Sequence, residues 1–179
     1  LTENSFLIYV GSKTGNEGIN GAAMASNTFN DSKITKELED NVQKSDPYLE
    51  KLLLEACCEI SEKKLVEGMQ DMGAGGLLCA SLEVVKRGRD KTNLNLGCDI
   101  YLEKVPLKYE MENSNILISE SQERMLIVCQ EKNIKEISEI FKKWDLEHSV
   151  IGKTNSTGNY DIILDSNVIY SEKINSFND

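Results

Sequence analysis

The sequence predicts an α/β (α+β) fold in which helices pack on a mixed β-sheet. Two observations support this prediction. Segments with helical periodicity alternate along the chain with short apolar segments typical of buried strands, and only short turns separate the last strands. Because strands joined by short turns run antiparallel, the pattern favours a mixed sheet over a purely parallel, doubly wound one.

Size and composition exclude several classes of protein. The 179 residues suffice for one domain with a substantial core. Lys and Arg total 20 against 30 Asp and Glu, a net charge of −10, which argues against nucleic acid or an anionic membrane as the main partner. No stretch approaches the roughly 20 apolar residues of a membrane span. The five cysteines form no C-x-x-C pair, so a reducing, cytoplasmic location is expected.

The first element is the end of a buried strand, predicted at residues 7–10, which leads into a glycine-rich segment at 11–21. Two interpretations of this segment remain open. It could cradle a phosphate, although no Gly-Lys-Ser/Thr ends it as in a P-loop. It could also be a plain mobile loop, since a glycine-rich stretch alone is a weak signal. The polar residues 26–42 then predict a surface excursion.

Asp46 and Pro47 predict the start of the first helix, with Asp46 as N-cap and Pro47 in the first helical position. Apolar residues follow at the spacing of one helix face: Leu49, Leu52, Leu53, Ala56, Cys57 and Ile60. Gln43 lies three residues before the N-cap and is therefore expected beside the helix N-terminus.

A strand, a tight turn and a helix N-terminus are predicted between residues 65 and 77. Glycines at 73, 75 and 76 would let backbone N–H groups approach a ligand, and a helix start favours negative charge. Asp71 precedes them and could hold a cation that bridges to a bound phosphate. Alternatively, Asp71 is only a helix cap.

Later elements follow from the same kinds of signal. A second helix is predicted to end at Gly88, and residues 94–102 alternate as a strand with one buried face. Asn133 and Glu136 predict a capping box for a third helix, whose apolar face continues to Trp144, interpreted as a core residue. Residues 155–158 predict a hairpin turn, and strands at 160–164 and 168–170 are expected to pair.

A block of five polar residues, 119–123, comes directly before an apolar strand that begins at Arg124. In an extended chain Glu120 and Gln122 would point to one side and Ser121 to the other. A structural turn would normally use Gly, Asn or Pro. A role facing a ligand and a purely structural role both remain open. His148 is the single histidine, so the chain contains no His cluster and no Ser-His-Asp triad.

Taken in order, these motifs resemble the synthetase subunits of the phosphoribosylformylglycinamidine synthase family, within the wider group that includes aminoimidazole ribonucleotide synthetase. The most specific matches are Gln70-Asp71-Met72-Gly73 and Ser119-Glu120-Ser121-Gln122-Glu123-Arg124-Met125. Further matching stretches lie at 11–18, 43, 46–47, 50–56, 73–77, 104–107 and 141–144. The resemblance therefore spans almost the whole chain.

The resemblance implies a mixed-sheet domain like the C-terminal domain of aminoimidazole ribonucleotide synthetase. In this family the chain has two homologous halves, and residues 1–179 would be one domain of a longer chain, the C-terminal domain of the first half. The full enzyme would be an ATP-dependent carbon-nitrogen ligase of purine biosynthesis. It would convert formylglycinamide ribonucleotide, ATP and glutamine-derived ammonia to the amidine, ADP and phosphate.

The resemblance also implies site residues, cofactors and partners. Substrate contacts would fall on Gln43, Glu120, Ser121 and Gln122, and the magnesium-binding aspartate would be Asp71. Because Ser121 would face away from its neighbours in a regular strand, we expect a bulge there or a contact through its backbone. The general-base histidines would lie in the N-terminal domain, so this domain would supply no catalytic residue and would be inactive alone.

Mg2+ and ATP would be the cofactor and co-substrate. The partners would be the remaining domains of the chain, a separate glutaminase subunit and a small bridging subunit. Two alternatives remain: a non-catalytic assembly or ligand-binding domain of the same superfamily, or a related kinase such as selenophosphate synthetase or thiamine monophosphate kinase. The block at 119–125 argues against the kinases.

Overall fold

The computed structural model describes residues 1–19 and 45–177. Gln43, one of the predicted substrate contacts, lies outside the described residues. The helices in these two ranges are α1 (Pro47–Glu62), α2 (Gly76–Thr92), α3 (Asn113–Ile118) and α4 (Ile134–Lys143). The strands are β1 (Phe6–Gly11), β2 (Gly68–Asp71), β3 (Gly97–Tyr101), β4 (Arg124–Cys129), β5 (His148–Asn155), β6 (Asn159–Leu164) and β7 (Asn167–Lys173).

The strands form one seven-stranded sheet in the order β2-β4-β1-β5-β3-β6-β7. Neighbouring strands run antiparallel except β3 and β6, which run parallel. The prediction of a mixed sheet packed with helices is therefore confirmed. In the described part of the chain, none of the helices is long and apolar enough to cross a membrane.

Helices cover both faces of the sheet. Alternate residues of β1 divide between two cores, with Leu7 and Tyr9 in the cluster that α2 and α3 complete. Ile8 and Val10 belong to the other cluster, which α1 and α4 complete. Because successive side chains of a strand point to opposite faces, a central strand covered on both sides is apolar throughout.

Helix α1 begins where the sequence predicts. The side chain of Asp46 accepts hydrogen bonds from the backbone N–H groups of Tyr48 and Leu49 at 3.1 and 3.0 Å, and Pro47 opens the helix. These bonds satisfy two of the N–H groups that a helix start leaves without an intrahelical partner. Four residues of the predicted apolar face are buried, namely Leu53, Ala56, Cys57 and Ile60.

Helix α2 does not end at Gly88 as predicted. It continues to Thr92, and Asn93 then adopts the left-handed conformation with φ of 56°. Gly88 is buried inside the helix, where an added Cβ would lie 2.7 Å from Cγ of Leu1. The glycine therefore makes room for the side chain of Leu1 and does not stop the helix.

The predicted capping box of α4 is also wrong. Asn133 makes no side-chain capping bond; its backbone has the right-handed helical conformation instead of an extended one, and its Nδ2 donates to the carbonyl oxygen of Leu65 at 2.8 Å. Trp144 packs against the cluster between α1 and α4, as predicted for a core residue, and is partly buried. Its indole N–H donates to Oε2 of Glu59 at 2.9 Å.

The predicted hairpin turn at 155–158 does not join neighbouring strands, because β3 lies between β5 and β6. The connection crosses the start of β3 at Gly97, where an added Cβ would lie 2.1 Å from the carbonyl oxygen of Asn159. Only glycine allows such a close approach. The expected pairing of the next two strands is confirmed, since β6 and β7 form an antiparallel pair.

Strand β3 is shorter than the alternating segment 94–102 that predicts it. It covers Gly97–Tyr101, and a 3-10 helix begins at Leu102. The sequence predicts a buried face formed by every second residue from Leu94 to Leu102. Four of these five residues are buried, namely Leu96, Cys98, Ile100 and Leu102, and Leu94 is exposed.

Candidate functional site

A cavity of about 290 Å³ lies between α1, the end of β2 and the start of β4. Asp71, the predicted metal ligand, and Gln122, a predicted substrate contact, both line it. The pairing of Asp71 with Met125 in the antiparallel β2/β4 ladder places these segments side by side. The remaining lining residues are Glu50, Leu53, Leu54, Cys57, Met72, Gly73, Glu123, Arg124 and Met125.

Asp71 is the last residue of β2, and its side chain is exposed. Its Oδ1 accepts a hydrogen bond from Nε2 of Gln70 at 3.0 Å. The N-cap of α2 is Gly75, with no side-chain capping bond, so the interpretation of Asp71 as a helix cap is wrong. A Cβ at Gly73 would lie 3.0 Å from Oδ2 of Asp71, so the glycine leaves space around this carboxylate.

Glu120 supplies negative charge at the start of α2. Gly75 and Gly76 have φ of 73° and 56°, and the N–H of Gly75 donates to Oε1 of Glu120 at 3.1 Å. A Cβ on Gly76 would lie 2.2 Å from the carbonyl oxygen of Ser119. The glycines at the helix start therefore let the segment 119–120 approach closely, and a carboxylate at a helix N-terminus is favourable.

The segment 119–123 forms a loop between α3 and β4 instead of an extended strand. Ser121 is only 1% exposed, whereas Gln122 lines the cavity and donates from Nε2 to the carbonyl oxygen of Glu120 at 3.2 Å. Glu123 has a φ of 56°, which turns the chain into β4. The predicted substrate contacts in this block thus differ in access, since Ser121 is directed into the protein.

The described part of the glycine-rich segment, 11–19, packs against this loop. Oγ of Ser119 donates to the carbonyl oxygen of Gly15 at 2.5 Å, and the N–H of Glu120 donates to that of Glu17 at 2.8 Å. A Cβ on Gly18 would lie 2.5 Å from Cβ of Glu120. The glycines here allow two loops to meet, a role that the sequence does not reveal.

Arg124 connects three parts of the site, although sequence reasoning did not select it. The residue is 3% exposed, and burial lowers the pKa of its guanidinium while the nearby Tyr9, Glu17 and Glu120 oppose that effect. The guanidinium donates to the carbonyl oxygens of Ser121, Ser119 and Met72 at 2.6, 2.5 and 3.3 Å, and to Oγ1 of Thr14 at 3.1 Å. The sequence does contain one indication of this role, because Arg124 is a charged residue at the start of a buried strand.

Glu123 is a second residue of the site that the sequence analysis does not predict. Its Oε1 accepts from the N–H of Asp46 at 2.9 Å and from Oγ of Ser45 at 3.2 Å. The carboxylate therefore ties the loop beside the cavity to the start of α1. The signal in the sequence was the position of Glu123 directly before a buried strand, within a polar block without Gly, Asn or Pro.

The residues around the cavity suit a magnesium ion only in part. Among residues 1–19 and 45–177, no group of three or more His, Cys, Asp or Glu side chains could hold a metal ion. Mg²⁺ is commonly held by one or two carboxylates together with phosphate and water oxygens. The exposed Asp71 could serve as such a carboxylate if a bound phosphate and water supplied the other ligands.

A mixed sheet covered on both faces, with an aspartate at a strand end and a glycine-rich helix start beside a cavity, defines an α/β domain with a candidate ligand site. The chain belongs to the family of the AIR synthase related protein, C-terminal domain, whose family model matches residues 2–165.

Individual relatives agree with this assignment. The chain is 46% identical over 153 residues to the phosphoribosylformylglycinamidine synthase subunit PurL of Nitratiruptor sp., which covers 85% of this chain and 20% of the relative. Thermotoga maritima PurL complexed with FGAR superimposes with a TM-score of 0.82 at 36% identity, covering 98% of this chain and 28% of that chain. Thermotoga maritima PurL complexed with ATP gives a TM-score of 0.78 at 32% identity, with 97% and 25% coverage. The chain thus spans about a fifth of the length of the curated relative.

Proposed function

We propose that this chain is the C-terminal domain of the first half of a phosphoribosylformylglycinamidine synthase synthetase subunit, and that residues 1–179 form one domain of that longer chain. The observation that carries the proposal is the meeting of Asp71 and Gln122 at one cavity. The likeness to PurL, including a structure with FGAR, supports formylglycinamide ribonucleotide as the substrate.

The full enzyme would act as an ATP-dependent carbon-nitrogen ligase in purine biosynthesis. It would use ATP and glutamine-derived ammonia to convert formylglycinamide ribonucleotide to the amidine, ADP and phosphate. The remaining domains of the chain, a glutaminase subunit and a small bridging subunit would be its partners. All five cysteines are free thiols, which supports a reducing, cytoplasmic location.

Each residue of the site would have a distinct task. Asp71 would hold Mg²⁺, which neutralises phosphate charge when bound. Gln122 would donate to or accept from the substrate with its amide at the cavity wall. Ser121, which is 1% exposed as a whole residue, would act on the substrate by shaping the loop that carries Gln122. Gln43 would complete the substrate contacts from the segment before α1.

Substitution of Asp71 by Asn in the full-length protein tests this function. We expect ADP release that depends on formylglycinamide ribonucleotide to fall about 100-fold or more, because an amide binds a hard cation poorly. Glu50→Gln is the matched control, since it neutralises another carboxylate that lines the same cavity. Near wild-type turnover of Asp71→Asn would overturn the metal role.

The same assay separates this proposal from a non-catalytic assembly domain. A full-length protein with no turnover of formylglycinamide ribonucleotide would favour the assembly role. We also expect the isolated chain to be inactive, because the site needs groups from the remaining domains. Substrate-dependent ADP release by residues 1–179 alone would contradict that expectation.

A further inference from the structure

Glu17 lies in the glycine-rich segment, which the proposed function leaves without a role. Its carboxylate accepts hydrogen bonds from Oγ of Ser121 and from Nζ of Lys108. Its side chain is 12% exposed, and its main-chain carbonyl accepts from the N–H of Glu120. Glu17 therefore holds two successive residues of the predicted substrate-binding block, one through its side chain and one through its backbone.

The hydroxyl of Ser121 is already committed within the protein. It donates its single hydrogen to Glu17 and accepts from the N–H of Gly15 at 2.9 Å. A serine hydroxyl has one hydrogen to donate, so no second donor bond to a ligand is possible in this arrangement. The residue as a whole is 1% exposed, and its carbonyl oxygen accepts from Nε of Arg124, so Ser121 acts inside the protein while its neighbour Gln122 lines the cavity.

We propose that Glu17 is a positioning residue, which fixes Ser121 so that the side chain of the next residue, Gln122, faces the substrate. This proposal rests on the proposed function, because the substrate is the one assigned there. In this proposal the glycine-rich segment holds the loop 119–123 in place and does not bind a phosphate.

The charge state of Glu17 agrees with the geometry. Burial by itself would raise the pKa of this carboxyl, but the hydrogen bonds from Lys108 and Ser121 outweigh burial and lower the pKa below its ordinary value. The carboxylate therefore remains ionised at neutral pH. Hydrogen bonds that involve an ionised acceptor are stronger than those between neutral groups, so the bond to Ser121 is a firm constraint.

A double-mutant cycle in the full-length protein tests the positioning role. Glu17→Ala, Ser121→Ala and the double variant are compared with wild type in KM for formylglycinamide ribonucleotide, KM for ATP and kcat. We expect each single variant to raise KM for formylglycinamide ribonucleotide about 10-fold, and the double variant to raise it no further, because both remove one interaction. KM for ATP should change by less than about twofold.

Two further variants serve as controls for the rise in KM for formylglycinamide ribonucleotide. Glu17→Gln keeps an oxygen that accepts from Ser121, so its KM should lie closer to wild type than that of Glu17→Ala. Glu110→Ala removes an exposed carboxylate from a neighbouring loop and should leave KM unchanged. Effects of Glu17→Ala and Ser121→Ala that multiply to about 100-fold in the double variant would overturn the proposal. So would a wild-type KM for Glu17→Ala.

Amide hydrogen exchange of the same full-length proteins needs no substrate. It therefore tests the positioning role of Glu17 separately from the proposed enzymatic function. We expect residues 120–122 to exchange at least about 10-fold faster in Glu17→Ala than in wild type, because the loop loses its anchor. Unchanged exchange would overturn the positioning role even in an active enzyme. Faster exchange in a protein with no turnover of formylglycinamide ribonucleotide would instead overturn the proposed function and leave the positioning role supported.

Discussion

The guanidinium of Arg124 donates a hydrogen bond to the main-chain carbonyl of Met72 at 3.3 Å. Met72 directly follows Asp71, and the same guanidinium also binds the carbonyl oxygens of Ser119 and Ser121. One buried side chain therefore connects the strand end that carries the candidate metal ligand to the loop that carries the candidate substrate contacts. Together with the β2/β4 ladder, Arg124 therefore holds these two parts of the site beside each other.

We expect Arg124→Lys to lower the free energy of unfolding by about 2–4 kcal/mol. A lysine ammonium cannot reach the carbonyls of Met72, Ser119 and Ser121 together, so buried polar groups lose their partners. Urea denaturation of the chain measures the change. Arg87→Lys is the control, because Arg87 is exposed on α2 and should change stability by less than about 0.5 kcal/mol. Equal stabilities of the two variants would contradict the connecting role of Arg124.

Two glycines of α2 should respond differently to alanine. At Gly76 the φ of 56° and a carbonyl oxygen 2.2 Å from the added Cβ predict a loss of about 3 kcal/mol or more. At Gly88 the added Cβ meets only the side chain of Leu1, which can move. Because Ala is also the better helix former, we expect a loss of less than about 1 kcal/mol there. Thermal denaturation of both variants checks the order, and a larger effect at Gly88 would refute it.

Glu67 should make stability depend on pH in acid. Burial would raise the pKa of its carboxyl, but hydrogen bonds from Ser5, Gln130 and Thr2 outweigh it and lower the pKa from 4.5. Since the folded-state pKa is lower than the unfolded one, the contribution is fully present above about pH 5 and is lost as the pH falls through the folded-state pKa.

We therefore expect Glu67→Gln to be about 1 kcal/mol less stable than wild type at pH 7, with the difference shrinking below pH 4.5. Denaturation curves between pH 3 and 7 measure it. The same substitution at the exposed Glu62 controls for the loss of one surface charge. A difference between Glu67→Gln and wild type that stays constant across this pH range would be inconsistent with the lowered pKa.

Cysteine reactivity should follow burial. Burial raises the pKa of the Cys57 thiol to about 11 and that of Cys129 to about 12, whereas Cys58 is exposed. Because the thiolate is the reactive form, we expect iodoacetamide at pH 8 to modify Cys58 at least about 10-fold faster than Cys57. Peptide mass spectrometry measures the rates. In denaturant the two residues should react alike, and equal rates in the native protein would contradict the protection of Cys57 by burial.

The sequence predicts features that depend on local interactions more reliably than those that depend on distant partners. Asp46 caps α1 through bonds to residues two and three positions away, so its role was readable from spacing. Asn133 is a residue type that often caps helices and has the right spacing. Its side-chain amide nevertheless donates to the carbonyl oxygen of Leu65, which is far away in the sequence. Gly88 is likewise a residue type that often ends helices. The structure instead explains this glycine by its close contact with Leu1.

The candidate site shows the same division. The resemblance selected Asp71 and Gln122, and both line the cavity. It did not select Glu17 or Arg124, because their importance lies in hydrogen bonds to residues 104 positions and 52 positions away in the chain. No periodicity or turn signal records such contacts. The interpretation of 155–158 as a hairpin failed for a related reason, since β3, which separates β5 from β6, comes much earlier in the sequence.

The central place of β1 has a consequence for the order of events during synthesis. Among the strands of this sheet, β1 is made first, yet its two neighbours in the sheet are β4 and β5, which end at Cys129 and Asn155. At about 5–20 residues per second, synthesis of the residues between the end of β1 and the end of β5 takes roughly 7–29 s. During this time the apolar β1 lacks one or both of its sheet neighbours, so it offers a target to chaperones that bind emerging chains.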